Sequence, residues 1–282
     1  MLRRPLSRKL LLHWPANHQV DASLNYGPAD EMAVRSEDRL GYRKGDAIRI
    51  SGDYQARALT SDRAVQRFWH EAKFRLIERV AIPSKRERVL DAGCGSGTIS
   101  QFLSLHAGEV IGVDSNPEAI SFASTTYDSP NLQFRLGQFE DLIADQPFDR
   151  IYCIEVIEHL YENQATEVLS LFHKITSPGG QLFLTTPNYR SAWPLIEWLL
   201  DKFALVATLD EAQHVTQFTR GKLRTILSRA GWRVSDIGTF NGLAPFLAPI
   251  SRRLALSLEK FEFLCNRVLA ENLLFCLCSK EL

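Results

Sequence analysis

The most informative stretch of the sequence is a glycine-rich turn between an apparent strand and an apparent helix. Residues 89–98 read Val-Leu-Asp-Ala-Gly-Cys-Gly-Ser-Gly-Thr. Glycine lets the backbone approach a ligand closely, and a helix that follows directs its first N–H groups toward that ligand. The third glycine of the dinucleotide fingerprint would fall on Thr98 or Ser100, and the Gly-Lys-Ser/Thr of a phosphate-binding loop is missing. The turn therefore predicts a ligand site of another kind.

Two acidic residues flank this turn and indicate the charge of the ligand. Asp91 precedes the first glycine, and Asp114 ends the next predicted strand. A carboxylate at Asp91 would repel a pyrophosphate and favour a cation. An acid at the end of the second strand can accept hydrogen bonds from both hydroxyls of a ribose. The pair predicts an adenosine that carries a positive group.

The elements around the turn predict an α/β fold. Apolar runs typical of buried strands occur at residues 88–92, 109–114, 132–136, 150–154 and 181–186, and helical patterns separate them. Two more strands are predicted at residues 232–237 and 273–279. This alternation predicts a doubly wound, mostly parallel seven-stranded sheet with helices on both faces.

The chain divides into an N-terminal extension and one domain. Residues 1–60 are polar and aperiodic, which predicts a partly irregular extension, and residues 61–282 form the domain, beginning with a helix capped by Asp62. Residues 188–217 are predicted to form a helical substrate cover, and residues 241–270 a helical insert before the last strand. Both are apolar, which favours packing on the core and leaves open contact with a lipid-like acceptor or a membrane surface.

Composition limits the partners of the protein. The 282 residues include 33 Lys+Arg and 33 Asp+Glu, so a zero net charge supplies no field to hold a polyanion, and a nucleic-acid partner is disfavoured. The five scattered cysteines are typical of buried thiols in a reducing compartment. No apolar run is long enough to span a bilayer. We expect a cytoplasmic protein, with peripheral membrane contact left open and the oligomeric state undefined.

The order of Asp91, the glycines and Asp114 carries a family resemblance. From Val89 to Leu282 the sequence resembles the class I S-adenosylmethionine-dependent methyltransferases, whose first motif is acid-x-Gly-x-Gly-x-Gly and whose second is an acid ending the next strand. The resemblance implies a Rossmann-like fold and S-adenosylmethionine as cofactor. It also implies a set of cofactor-binding residues: Asp91, Ala92, Gly93, Cys94, Gly95, Gly97, Asp114, Ser115, Gln138, Phe139 and Ile154.

A narrower signature contains acids and histidines. It comprises Glu155-x-x-Glu158-His159, then residues 186–188, Thr-Pro-Asn, and the distant His214. This signature resembles the ubiquinone-synthesis O-methyltransferases and the small-RNA 2′-O-methyltransferases, and in both it is associated with a divalent cation such as Mg²⁺. The resemblance therefore implies a metal site of Glu155, Glu158, His159 and His214. The first three, at i, i+3 and i+4, would share one helical face.

Several functions remain open at this point. The favoured one is O-methylation of a small hydroxylated or lipid-like acceptor, with His159 or His214 as the catalytic base. The alternatives are an RNA 2′-O-methyltransferase with a divalent cation, which the neutral composition disfavours, and a non-catalytic S-adenosylmethionine-binding protein. Arg75, on the helix before the first strand, is predicted to be a surface charge, with contact to the cofactor carboxylate as the alternative.

Overall fold

The computed structural model describes residues 51–144, 146–192 and 215–281. The strands are β1 (Arg88–Ala92), β2 (Glu109–Asp114), β3 (Leu132–Leu136), β4 (Phe148–Ile154), β5 (Thr176–Pro187), β6 (Arg233–Phe240) and β7 (Leu273–Ser279). The α-helices are α1 (Tyr54–Thr60), α2 (Ala64–Val80), α3 (Thr98–Ser104), α4 (Pro117–Thr126), α5 (Glu162–Ile175), α6 (Arg220–Arg229), α7 (Ala244–Leu247) and α8 (Arg252–Leu264). Short 3-10 helices span Phe139–Ala144 and Ile157–His159.

The strands form one seven-stranded sheet in the order β3-β2-β1-β4-β5-β7-β6. The pairs among β1 to β5 are parallel, whereas β7 is antiparallel to both β5 and β6. The direction of winding reverses between β1 and β4, and the parallel strands end together at one edge, which we call the carboxyl edge. Ligands of open α/β sheets bind at such a reversal. The predicted fold class is confirmed.

Apolar clusters cover both faces of the sheet. Because neighbouring residues of a strand point to opposite faces, Val89 and Leu90 of β1 belong to different clusters. Leu90 shares its cluster with Phe172 of α5 and Leu223 of α6, and Val89 shares the other with Leu76 of α2. Helices on both faces thus hold the carboxyl edge in place.

The local signals at helix starts have mixed outcomes. Asn116 caps α4 as expected, since its side chain accepts hydrogen bonds from two backbone N–H groups of the first turn. The predicted cap at Asp62 is wrong: α2 begins at Ala64, and the Ser61 hydroxyl accepts the Arg63 N–H instead. Helix α1 lies within the range predicted as a partly irregular extension, and its seven residues are too few for a clear apolar periodicity.

Helices α7 and α8 lie between β6 and β7, where the sequence places a helical element. A third apolar cluster joins Ala244 and Ala255 of these helices to Phe68 of α2. The predicted cover at residues 188–217 lies mostly outside the described residues. None of the helices in the described ranges is both long and apolar enough to cross a membrane.

Candidate functional site

The loop between β1 and α3, which we call the glycine loop, is left-handed at each of its three glycines. Gly93, Gly95 and Gly97 have φ angles of 74°, 51° and 77°. A Cβ on Gly93 would lie 2.5 Å from Cγ2 of Val156, and one on Gly97 would lie 2.7 Å from Cζ of Phe134. Only glycine satisfies both the conformation and the space. The loop is therefore fitted closely between the end of β4 and strand β3.

The two acids beside the loop have different environments. Asp91 is 1% exposed, and the Ser100 hydroxyl donates to its Oδ2 over 2.6 Å. Burial raises the pKa of Asp91 to about 7, the Ser100 hydrogen bond opposes the rise, and the charge of Asp114 adds to it. Asp114 is partly exposed, and its two oxygens accept the N–H groups of Gly95 and Asn116, each over 2.8 Å. Asp114 is thus the acid that a ligand can reach.

The acid–histidine motif after β4 does not form the predicted helical face. The Glu155 N–H still donates to the carbonyl of Thr185 in β5, and Glu155 itself has a left-handed φ of 56°. The chain then forms the 3-10 helix Ile157–His159. The expectation that Glu155, Glu158 and His159 share one helical face is wrong, because Glu155 is left-handed and lies outside the short helix that contains Glu158 and His159. Such a conformation in a non-glycine residue costs about 1–3 kcal/mol and is typical of functional sites.

A buried lysine faces Glu155. The ammonium group of Lys73, on α2, lies 2.5 Å from Oε2 of Glu155, and the lysine side chain is 8% exposed. The other oxygen, Oε1, is buried without a hydrogen-bond partner. Burial and the charge of Glu155 raise the pKa of the neighbouring Tyr54. The sequence did not lead us to Lys73 as a site residue. Its position between Ala72 and Leu76, on the apolar side of a helix, is nevertheless a signal of a buried charge.

The motif residues that the structure describes do not form a divalent-cation site. Glu158 is 1% exposed and accepts the Thr186 hydroxyl over 3.1 Å, while its carbonyl accepts the Thr216 N–H. His159 is half-buried beside it. His214 lies outside the described residues. Within residues 51–144, 146–192 and 215–281, no three His, Cys, Asp or Glu side chains are arranged to hold a metal ion.

A family model described as a methyltransferase domain matches residues 62–237. This chain belongs to the methyltransferase domain family. A ubiquinone biosynthesis O-methyltransferase of Xanthomonas campestris pv. campestris is 36% identical over 114 residues, which cover 39% of this chain and 46% of that relative. The chain thus spans about half the length of that curated relative.

Solved structures support the fold of the methyltransferase domain. A SAM dependent methyltransferase from Archaeoglobus fulgidus superposes with a TM-score of 0.54 at 21% identity, covering 74% of this chain and 94% of that one. Magnesium protoporphyrin IX methyltransferase from Synechocystis PCC 6803 gives a TM-score of 0.55 at 15% identity, covering 82% and 94%. These likenesses identify the class I methyltransferase fold.

Helix α1 contacts the glycine loop of the methyltransferase domain, which the sequence did not indicate. The side-chain oxygen of Gln55 accepts the backbone N–H of Ser96 over 2.7 Å and the Ser96 hydroxyl over 2.9 Å. A Cβ on Gly95 would lie 2.3 Å from the same oxygen. The end of the predicted extension therefore covers one side of the loop.

Three of the proposed cofactor residues are buried in the methyltransferase domain at the carboxyl edge of the sheet. Ala92 and Ile154 are buried where β1 and β4 end at the carboxyl edge. Cys94 is buried in the loop, and burial raises the pKa of its thiol well above the usual value. We therefore expect these residues to shape the site by backbone and packing, and the Cys94 thiol to stay protonated.

Three further proposed residues follow β2 and β3. Ser115 and Gln138 are exposed at the carboxyl edge, next to the reachable Asp114. Phe139 instead packs edge-on against Phe172 of α5, with ring centroids 5.2 Å apart. Its ring is partly buried against the core, so only part of it faces outward.

The prediction that Arg75 is a surface charge is wrong. Arg75 is 9% exposed, its Nε lies 2.8 Å from Oε2 of Glu259 on α8, and its guanidinium lies over the ring of Phe68. The reason is that α8 covers this side of α2. Arg75 therefore attaches the residues after β6 to the methyltransferase domain.

Proposed function

We propose that this chain transfers the methyl group of S-adenosylmethionine to an oxygen of a small hydroxylated or lipid-like acceptor. The assignment of S-adenosylmethionine as the donor rests on one observation. Asp91, the left-handed glycines and Asp114 lie together at the carboxyl edge of a methyltransferase domain. The oxygen acceptor rests on the 36% identity to a ubiquinone biosynthesis O-methyltransferase.

The adenosine part of the donor fits the loop and the two neighbouring strand ends. Two backbone N–H groups hold the Asp114 carboxylate, and each of its oxygens retains a lone pair for a ribose hydroxyl. The exposed amide of Gln138 can pair with the edge of the adenine. A fixed carboxylate binds at little cost in side-chain entropy, which favours affinity.

The amino-acid part of the donor fits the Lys73–Glu155 pair. That part carries one carboxylate and one ammonium group, and the pair offers the opposite charge to each. Val156 follows Glu155 in the chain, and a Cβ on Gly93 would lie 2.5 Å from its Cγ2, so the pair adjoins the loop. The unpartnered Oε1 of Glu155 is available to the ammonium group. We assign the donor carboxylate to Lys73 and the donor ammonium to Glu155.

The transfer itself requires alignment and the removal of one proton. When bound, S-adenosylmethionine supplies a methyl group on a positively charged sulfur, which is already a strong electrophile. The buried carboxylate of Asp91 and the packed loop hold the donor and exclude water. His159, half-buried after β4, takes the proton of the acceptor hydroxyl, and His214 is the second candidate for that role. The proposal requires no divalent cation, because the Lys73 ammonium occupies the position facing Glu155.

Calorimetric titration with S-adenosylhomocysteine tests the donor site. We expect wild-type protein to bind, and Asp114→Ala to bind roughly 10- to 100-fold more weakly because hydrogen bonds to a charged group are lost. The exposed Asp128→Ala is the matched control and should bind like wild type. A folded wild type that does not bind would overturn the donor assignment.

Methylthioadenosine, which lacks the amino-acid group, separates the two parts of the site. Lys73→Met should weaken S-adenosylhomocysteine about tenfold or more and change methylthioadenosine affinity little, because only the first ligand has a carboxylate. Lys222→Met, on the outer face of α6, is the control. Equal losses for both ligands would remove Lys73 from the amino-acid site.

An alkylated phenol and the matching aniline test the acceptor atom. We expect methylation of the phenol, with a turnover rate that falls about 100-fold in His159→Gln, since general-base catalysis contributes roughly 10²–10⁴. S-adenosylhomocysteine affinity in the same variant should stay near that of wild type. Methylation of the aniline alone would replace the O-methyltransferase assignment by N-methylation.

A further inference from the structure

Exposed apolar side chains concentrate in the segment 241–270, which we call the insert. Among the described residues, eight of the thirteen exposed large apolar side chains lie in it. They are Leu243, Phe246, Ile250, Leu254, Phe261, Leu264, Val268 and Leu269. Ile250 is 77% exposed, and Leu254 and Phe261 are 58% and 59% exposed. Such a concentration marks an interaction surface rather than scattered surface apolar residues.

Buried polar contacts anchor the insert to the domain. Glu259 pairs with Arg75, and one oxygen of Glu262 accepts the N–H groups of Leu243 and Ala244 over 2.6 and 3.2 Å. The Asn241 amide donates to the carbonyl of Trp69 on α2. The apolar surface is therefore presented by an ordered element, and its exposure is a property of the fold.

The charges of the insert are separated by sign. Its acids, Glu259 and Glu262, are 7% and 6% exposed and point inward. Its basic residues are all exposed, namely Arg252, Arg253, Lys260 and Arg267. Arg252 pairs with Glu71 and Arg267 pairs with Asp236, both acids outside the insert, so the outward positive charge of the insert is that of Arg253 and Lys260. An exposed surface of apolar and basic side chains is complementary to an anionic lipid surface.

We propose that the insert docks on an anionic phospholipid bilayer. Helix α8 interleaves the two kinds of side chain, since Arg253 adjoins Leu254 and Lys260 adjoins Phe261. A second copy of the chain fits less well, because the centres of protein interfaces are depleted of charged residues. The inference extends the proposed function and does not depend on the identity of the acceptor.

The insert also begins at the carboxyl edge. Strand β6 ends at Phe240, which pairs with Leu273 of β7, and Leu273 pairs with Pro187 at the end of β5. The insert thus leaves the sheet on the same side as the glycine loop and Glu155. A bilayer bound there would lie on the side of the molecule at which an acceptor enters.

Flotation with lipid vesicles tests the docking surface in the full chain. We expect the protein to float with phosphatidylglycerol vesicles and much less with phosphatidylcholine vesicles. The difference should shrink at an ionic strength of about 1 M, where the Debye length is about 3 Å. Equal flotation with both lipids at all salt concentrations would overturn the proposed charge recognition.

Paired variants assign the binding to the insert. Leu254→Ser/Phe261→Ser should lower partitioning into phosphatidylglycerol vesicles about tenfold or more, because two apolar side chains no longer enter the bilayer. Arg253→Gln/Lys260→Gln should lower it roughly fivefold for each charge removed. The matched controls are Leu105→Ser, whose side chain is 49% exposed just after α3, and Arg86→Gln before β1, and both should partition like wild type.

Two outcomes would overturn the inference. Unchanged flotation of both insert variants would place the lipid contact elsewhere in the chain. A dimer that Leu254→Ser/Phe261→Ser converts to a monomer, without vesicle binding by wild type, would identify a second copy as the occupant. S-adenosylhomocysteine binding, measured in each variant, reports failure of the donor site separately from failure of the docking surface.

Discussion

The glycine loop and a small cavity beneath the insert each hold a carboxyl group away from water, but with different support. The residues that line the cavity include Leu76 of α2, Glu262 of α8 and Glu271. At the loop, burial raises the pKa of Asp91 to about 7, and the Ser100 hydroxyl bonds to its carboxylate. Beneath the insert, burial and the charge of Glu262 raise the pKa of Glu271 to about 7. One oxygen of Glu271 bonds to the Thr239 hydroxyl, and the other has no partner. A similar pKa thus arises from two unlike surroundings.

The two regions also differ in the sequence distance of their contacts. Asp91 and Ser100 are nine residues apart, and Asp114 and Asn116 are two apart, so one short stretch encodes most of the loop. Arg75 and Glu259 are 184 residues apart. The loop is a local motif that a family shares, whereas the insert is held by pairings that only the complete fold creates.

The largest expected effect comes from breaking the pairing that holds the insert. Arg75→Met should lower the free energy of unfolding by about 3–5 kcal/mol, because Glu259 is left buried without its main counter-charge. Urea unfolding followed by circular dichroism measures it. Arg79→Met is the control, since Arg79 is more exposed and 3.5 Å from Glu259, and should cost much less.

The double variant Arg75→Met/Glu259→Leu decides whether the unpaired charge is the cause. It should recover much of the lost stability, because no buried charge then lacks a partner: Glu71 keeps Arg252, and Arg79 is exposed enough to be solvated. A double variant as unstable as Arg75→Met would show that the lost packing of Arg75 on Phe68, and not the charge, dominates.

A smaller effect is expected at the loop. Gly97→Ala should cost about 2–3 kcal/mol and abolish measurable S-adenosylhomocysteine binding, because the residue is left-handed and the added Cβ would lie 2.7 Å from Phe134 and 2.8 Å from Ala123. Gly221→Ala in α6 is the control: a Cβ there meets no atom within 4 Å, and the helix should be stabilised by up to about 1 kcal/mol. Similar unfolding curves for the two variants would contradict the close fit of the loop.

The features of the fold and of the site that depend on neighbouring residues could be predicted from the sequence. The bounds of β1, β2, β3 and β7 match the predicted runs, because an apolar run bounded by turn residues is a short-range signal. The Asn116 cap is short-range as well. The same holds for the spacing of Asp91, the glycines and Asp114, which by itself locates the candidate site at the ends of the first two strands.

The other features of the site depend on contacts between residues far apart in the sequence, and the periodicity of apolar residues does not predict such contacts. Lys73 and Glu155 are 82 residues apart, and their pairing exists because α2 passes beside the end of β4. The left-handed Glu155 interrupts a motif whose i, i+3, i+4 spacing predicts a helix. Arg75 resembles a surface charge in the sequence because the partner that buries it belongs to α8, near the other end of the chain. Tertiary packing overrides local pattern at each of these positions.

The smallest expected effect tests the comparison between the two buried acids. Both folded-state pKa values lie above those of the unfolded chain, so between about pH 4 and pH 7 the folded state binds more protons than the unfolded chain. Wild-type stability should therefore fall as the pH rises from about 4 to about 7. Asp91→Asn and Glu271→Gln stay neutral and escape this loss. Each should raise the free energy of unfolding at pH 8 by on the order of 1 kcal/mol, with little gain at pH 5.

Ligand binding then distinguishes the two acids, with Asp128→Asn as the control for removing one surface charge. Asp91→Asn should weaken S-adenosylmethionine binding, because the positively charged sulfur of that ligand loses a negative charge beside the loop, while Glu271→Gln should leave the affinity unchanged. If Asp91→Asn is stabilised at pH 8 and still binds normally, Asp91 supports only the fold of the loop. If Glu271→Gln weakens binding, the cavity beneath the insert is coupled to the donor site, and the two regions do not act separately.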